Sequence, residues 1–176
     1  PELRVLQEAG LRMVVITNQA GIARGYFTEV DLQRMHDHLT NMLAQQGVRL
    51  DGIYYCPHHP EGVHPELTIV CKCRKPQPGM LLQAANELAI DLPQSWFVGD
   101  VLDDIEAGKR AGCRTILVDL GTEKLPTKPM RYPDFVARDT LHALNIIRAL
   151  MHLGPDVDLS YRPQSWNLAP EIGVEV

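Results

Sequence analysis

The chain has 176 residues and a net charge of −5, with apolar residues making up 45%. That length suits one domain burying roughly two-thirds of its unfolded surface. No apolar run approaches the ~20 residues that cross a bilayer, and the acidic balance argues against nucleic acid, which normally needs a basic face. With no charged-then-apolar leader in these residues, the expected location is cytoplasmic.

Residues 2–9 read as a short helix with Leu3 and Leu6 inward, stopped by Gly10. Met13 to Thr17 is a continuous apolar run, expected as a strand buried on both faces. Thr28 can cap the amide of Asp31 and open a long helix, in which Leu32, Met35, Leu39 and Met42 recur at helical spacing up to Gly47. Ile53 to Tyr55 is a short strand. A helix over 79–90 follows Pro78, then the strand Trp96 to Val98, a helix from Asp103 to Ala111 stopped by Gly112, and the strand Thr115 to Val118. Asp139 to His152 is the last helix, with Leu141, Leu144 and Ile147 on one side.

Helices alternating with short β-rich runs predict an α/β fold: a three-layer, Rossmann-like parallel sheet with helices on both faces, plus a metal-binding loop. Residues 1–154 form the expected domain. Residues 155–176, Pro-rich and without periodicity, read as an extended tail packed on the body or on a neighbour. A monomer is expected, with the tail a candidate for association.

Two constellations carry chemistry. Cys56-Pro57-His58 and Cys71-Lys72-Cys73 flank residues 59–70, a stretch with little core of its own. Three thiolates and an imidazole make a closed tetrahedral zinc site, which is structural rather than catalytic because no position is left for water. His59 and His64 compete with His58 as the nitrogen ligand, and the spacing favours His58.

The second constellation lies where open parallel sheets bind ligands, at the strand ends. Thr17-Asn18-Gln19-Ala20 can offer a hydroxyl and free amides to a phosphate. Arg74-Lys75 places cations directly after the cysteine pair. Asp100, after Phe97-Val98-Gly99, offers the hard oxygen Mg²⁺ prefers. Asp104 is placed to support that site, whereas Asp103 suits the positive end of the next helix.

In this order, TNQAGIARGYF, CPHHP, CKCRKP and FVGDVLDD resemble the phosphatases of the haloacid dehalogenase superfamily, over about residues 1–122. Within them the pattern is similar to the enzymes that remove the 7-phosphate of D-glycero-D-manno-heptose 1,7-bisphosphate, in making activated heptose for lipopolysaccharide. Related histidinol-phosphate phosphatases are the alternative, and a non-catalytic pseudo-phosphatase binding module is the rival from another class. The resemblance implies a small phosphorylated sugar as substrate, Mg²⁺ and a structural Zn²⁺ as cofactors, and hydrolysis through an aspartyl-phosphate. Thr17 and Lys75 would stabilise the transferring phosphoryl group, Asn18, Gln19 and Ala20 would line the substrate, and Arg74 would recognise it. Arg24 would contact substrate or order its loop, Asp100 would bind Mg²⁺ with Asp104 in support, and Cys56, His58, Cys71 and Cys73 would bind zinc. The family's first strand, ending in Asp-x-Asp, has no counterpart ahead of Pro1. The expectation is therefore that the nucleophile lies outside these residues and that they are inactive alone. Val101 stands where the resemblance admits a cation, and the residues after 154 have no counterpart in it.

Overall fold

A computed structural model describes residues 1–166. Helix α1, Glu2–Glu8, ends in Gly10, whose φ of +94° is costly for a residue with a Cβ. Strand β1, Val14–Asn18, is followed by the single turn α2, Ala20–Ala23. Helix α3, Glu29–Gln45, opens with a capping box: Thr28 Oγ1 accepts from the Asp31 amide at 3.2 Å, and the Asp31 carboxylate accepts from the Thr28 amide at 3.0 Å. Strand β2, Gly52–Cys56, helix α4, Gly79–Leu88, strand β3, Trp96–Gly99, helix α5, Leu102–Ala111, and strand β4, Arg114–Val118, follow in turn. Strand β5, Phe135–Ala137, leads into α6, Thr140–Leu150, whose cap Asp139 accepts from the His142 amide.

All the strand pairs are parallel, but they form two sheets. β1 pairs with β2, with Val14 opposite Gly52 and Asn18 opposite Cys56, while the other sheet runs β3-β4-β5. Among the described residues no main-chain ladder joins β1 to β3. Side chains join them instead: Ile16 of β1 packs against the buried group of Leu81, Phe97, Ala107 and Cys113.

Strand β4 shows why helices cover both faces. Its alternate residues Ile116 and Val118 face Leu6 of α1 and Ala143, Ile146 and Ile147 of α6, while Leu117 faces Leu102 and Ile105 of α5. Tyr161 and Trp166 of the tail pack on that second group, and Tyr161 donates to the Asp119 carboxylate at 2.8 Å. The tail is thus laid on the body as far as residue 166; residues 167–176 lie outside the described residues. No helix among the described residues is long and apolar enough to cross a membrane.

Three expectations are corrected. Residues 14–18 are only half-buried: among the described residues β1 has a strand neighbour on one side alone. In α3 the inward stripe is Leu32 and His36, whereas Met35 and Met42 are 50% and 52% exposed. The sheet touches a narrower arc of this helix than the apolar spacing suggested. In α6 Leu141 is 55% exposed, and His142, Ala143, Ile146 and Ile147 are the buried residues.

An ion network ties α5 to the loop before β5. Glu106 accepts from Arg110 Nη2 at 2.6 Å and Arg131 Nε at 2.8 Å, and Arg131 also pairs with Asp103. Lys109 pairs with Asp134, which also accepts from Thr115. Burial opposes the ionisation of Glu106, but Arg131 and Arg110 outweigh it and hold its pKa below the ordinary value. Asp134 follows the same pattern: burial is outweighed by Lys109 and Thr115, and its pKa falls. A carboxyl with a lowered folded pKa contributes stability above its unfolded value of about 4, and loses it as pH falls toward the folded value. Urea unfolding from about pH 6 down to about pH 3 should therefore show a steeper loss for wild type than for Glu106→Gln. Parallel profiles would reject this role for Glu106.

Candidate active site

Four ligand atoms converge at the end of β2. Cys56, the last residue of that strand and fully buried, lies 3.0 Å from Cys73 Sγ and 3.5 Å from Cys71 Sγ. His58 Nδ1 lies 3.6 Å from Cys56 Sγ and 3.3 Å from Cys73 Sγ. All four atoms fall within 4.8 Å of one another, and none of the cysteines is disulfide-bonded. Three soft sulfurs and an imidazole nitrogen at this spacing fit a closed tetrahedral zinc site. As bare thiols they would be ill-matched. Burial first, then Cys73, pushes Cys56 far above the ordinary thiol value. Cys71 is also raised by burial, but hydrogen bonds from Cys73 and the Arg74 amide outweigh that and bring it down. A divalent cation would resolve this competition by taking all three as thiolates. Neither His59 nor His64 joins the group. The His59 ring turns to Arg24, and His64 lies exposed beside Glu66.

The chain passes straight from this clip to the strand ends. Gly79 closes the turn: a Cβ there would lie 2.2 Å from the Lys72 carbonyl. The Arg74 amide donates to Cys71 Sγ, and its guanidinium donates to the His58 carbonyl at 3.3 Å. Lys75 is held at its main chain by Asn18, whose Oδ1 accepts from the Lys75 amide at 3.0 Å and whose Nδ2 donates to the Lys75 carbonyl at 3.2 Å.

The Lys75 side chain bridges the two sheets. Nζ donates to the Ile16 carbonyl, on the side of β1 away from β2, at 3.1 Å and lies 2.5 Å from Asp104 Oδ1. That second approach is too bent for a directed hydrogen bond and is Coulombic. Both side chains are sequestered, at 11% and 4% exposure. An ammonium carries three hydrogens, so at least one remains for a ligand.

Asp104 has a second task. Its Oδ2 accepts from the amides of Asp100 at 3.2 Å and Val101 at 3.4 Å, folding the loop after β3 back on α5. Gly99 makes room for it, since a Cβ there would sit 2.3 Å from Asp104 Oδ2. The Asp100 carboxylate is exposed and accepts no hydrogen bond from the described residues. Thr17 lies between Ile16 and Asn18, both of which hold Lys75, and its Oγ1 accepts from Gln19 Nε2 at 3.0 Å. Gln19 and Ala20 open α2.

The structure thus brings Thr17, Asn18, Lys75, Asp104 and the Asp100 loop to one rim, where β1 and β3 end. Sequence reasoning missed the Ile16 carbonyl and the space at Gly99, and, beside the metal group, the pairing of His59 with Arg24. One Asp-x-Asp occurs in the chain, Asp156-Val157-Asp158. It ends no strand, and the Asp158 carboxylate is taken by the amide and hydroxyl of Ser160.

A HAD-hydrolase-like family model matches residues 72–143. D-glycero-beta-D-manno-heptose-1,7-bisphosphate 7-phosphatase of Yersinia pestis is 50% identical over 119 residues, covering 67% of this chain and 63% of its own length. The D-glycero-D-manno-heptose-1,7-bisphosphate 7-phosphatase of Chlorobaculum tepidum is 43% identical over 149 residues, 81% of this chain and 75% of that one. The chain belongs to the haloacid dehalogenase-like phosphatases. Within that family, the solved D,D-heptose 1,7-bisphosphate phosphatase of B. bronchiseptica, complexed with magnesium and phosphate, superposes with a TM-score of 0.68. It is 33% identical, over 85% of this chain and 80% of that one. The haloacid dehalogenase-like chain described here spans 63% of the length of the Y. pestis relative.

Proposed function

We propose that this chain carries the phosphate-handling part of a phosphomonoesterase that removes the 7-phosphate of a heptose 1,7-bisphosphate. The carrying observation is the bridge made by Lys75: a sequestered cation clamped between Asp104 and Ile16, the residue before Thr17. Such a cation, fixed before reaction, stabilises phosphoryl charge as it develops without reorganising. The Thr17 hydroxyl would hold an equatorial oxygen, and Asn18, Gln19 and Ala20 would line the sugar. Arg74 would meet the part of the substrate that is not transferred. The attacking carboxylate, supplied from outside the described residues, forms an O–P bond as the sugar C–O–P link breaks at phosphorus and the sugar oxygen takes a proton. Water then hydrolyses the acyl phosphate.

The Asp100 carboxylate, exposed and without a protein partner among the described residues, fits Mg²⁺, with Asp104 shaping its loop. When bound, the ion would neutralise phosphate charge. Residues 1–154 would carry this chemistry and 155–176 an appended tail, in a cytoplasmic monomer acting on a small anion. Relatives named for the heptose bisphosphate reaction support this reading.

The test is turnover by the full-length gene product with Mg²⁺. Heptose 1,7-bisphosphate should be preferred over histidinol phosphate by at least about 10²-fold in kcat/KM. The reverse preference would move the protein to the histidinol class. Tight binding without hydrolysis would make it a binding module.

A further inference from the structure

Resting on that phosphatase reading, we infer that Asn18 is a positioning residue. Its side chain sets Lys75, and so the ammonium proposed to meet the phosphoryl group, and leaves any contact with the sugar to its main chain. Lys75 belongs to no helix or strand, so no ladder serves its peptide groups. A half-buried amide and carbonyl must still find partners. Among the described residues one side chain serves both: Asn18 Oδ1 accepts from the Lys75 amide at 3.0 Å, and Asn18 Nδ2 donates to the Lys75 carbonyl at 3.2 Å. A peptide N–H can only donate and a peptide carbonyl only accept, which settles which way round the Asn18 group lies.

Asn18 is itself anchored in the sheet. It ends β1 opposite Cys56, and the Gln19 amide that follows donates to the Cys56 carbonyl at 2.8 Å. Its side chain thus acts as one extra rung from β1 to the turn that carries Lys75. The other ties of that turn stop short of Lys75. The Arg74 amide donates to Cys71 Sγ, the Gln77 amide donates to the Arg74 carbonyl at 2.9 Å, and the Gly79 amide donates to the Lys72 carbonyl at 3.0 Å.

The far end of Lys75 returns to the same strand. Nζ donates to the Ile16 carbonyl, with the Phe97 ring centre 5.7 Å away and Asp104 alongside. Strand β1 therefore grips Lys75 twice, at the peptide through Asn18 and at the charge through Ile16. A lysine stem is flexible, and fixing both of its ends keeps the charge preorganised. The two roles open to the Asn18 side chain leave different kinetic marks. A sugar contact made equally before and during reaction appears in KM, whereas a displaced oxyanion-stabilising charge appears in kcat.

In the full-length gene product, Asn18→Ala should lower kcat for heptose 1,7-bisphosphate by roughly 10- to 100-fold, the scale of a group displaced by about 1 Å, with KM within about twofold. Added to Lys75→Ala, the same substitution should change kcat by less than about twofold, because a residue acting only through Lys75 then has nothing to position. Zinc content should stay that of wild type. Asn18→Ser, polar but too short to reach both peptide groups, should give the same readings if Asn18→Ala does not fold. A raised KM at unchanged kcat, full additivity with Lys75→Ala, or loss of zinc would each overturn the assignment.

A further readout needs no turnover. In proton–nitrogen NMR spectra at low temperature, the sequestered Lys75 ammonium should give a protected signal, identified by its loss in Lys75→Ala. Asn18→Ala should speed its hydrogen exchange at least about fivefold, the scale of one net hydrogen bond. If wild type hydrolyses no phosphate ester, the phosphatase reading fails by itself and this signal decides for Asn18. Faster exchange supports the placement of Lys75 by Asn18, and an unchanged signal overturns it.

Discussion

Lys75→Ala in the full-length gene product is expected to cut turnover by at least about 10²-fold, the scale seen when one oxyanion-stabilising donor is removed. It is also expected to cost stability, because the same ammonium offsets a buried carboxylate. Asp104 is 3% exposed, its Oδ1 has Lys75 as its ionic partner, and its Oδ2 already holds the Asp100 loop. Breaking a buried pair from one side costs roughly 3–5 kcal/mol, since the remaining charge is left without compensation. The two effects separate by a second substitution. Adding Asp104→Asn to Lys75→Ala should restore much of the stability but none of the turnover. Chemical denaturation and steady-state kinetics read these independently. Turnover near wild type in Lys75→Ala would remove the residue from the proposed chemistry, and unchanged stability would show that the pair contributes little to folding.

The second large effect is expected from the metal clip. Wild type should carry about one zinc per chain, and Cys71→Ser should lose it. Structural zinc contributes on the order of 10 kcal/mol in small metal-stabilised folds, although only the loop depends on it here. The stretch from Pro57 to Cys73 holds few buried residues of its own, with Cys56 at its entrance and Gly79 closing on Lys72 at its exit. The expected outcome is a markedly lower melting temperature with protease cleavage confined to residues 57–72, measured beside metal analysis by atomic absorption. A metal-free wild type of equal stability would eliminate the clip.

Much of this arrangement is legible in the residues themselves. The cysteine and histidine spacing points to the cluster because zinc geometry leaves few alternatives. Thr28 and Asp31 announce the start of α3 because capping is local. What sequence periodicity does not reveal depends on partners distant along the chain. Met35 and Met42 keep the helical spacing of buried residues yet face solvent. Strand β5 has three residues, and α2 is a single turn. Neither is long enough to show a period, and each is held by neighbours rather than by local preference. His59 reads as a rival metal ligand until its ring is seen against Arg24.

Cys73, Arg74 and Lys75 are consecutive, so the last sulfur of the clip and the ammonium proposed to meet the phosphate share a short piece of backbone. A metal with no part in the proposed chemistry would thereby set the reach of the group proposed to carry it. Specific activity across preparations should therefore track zinc occupancy, and a chelator should silence turnover before the rest of the fold unravels.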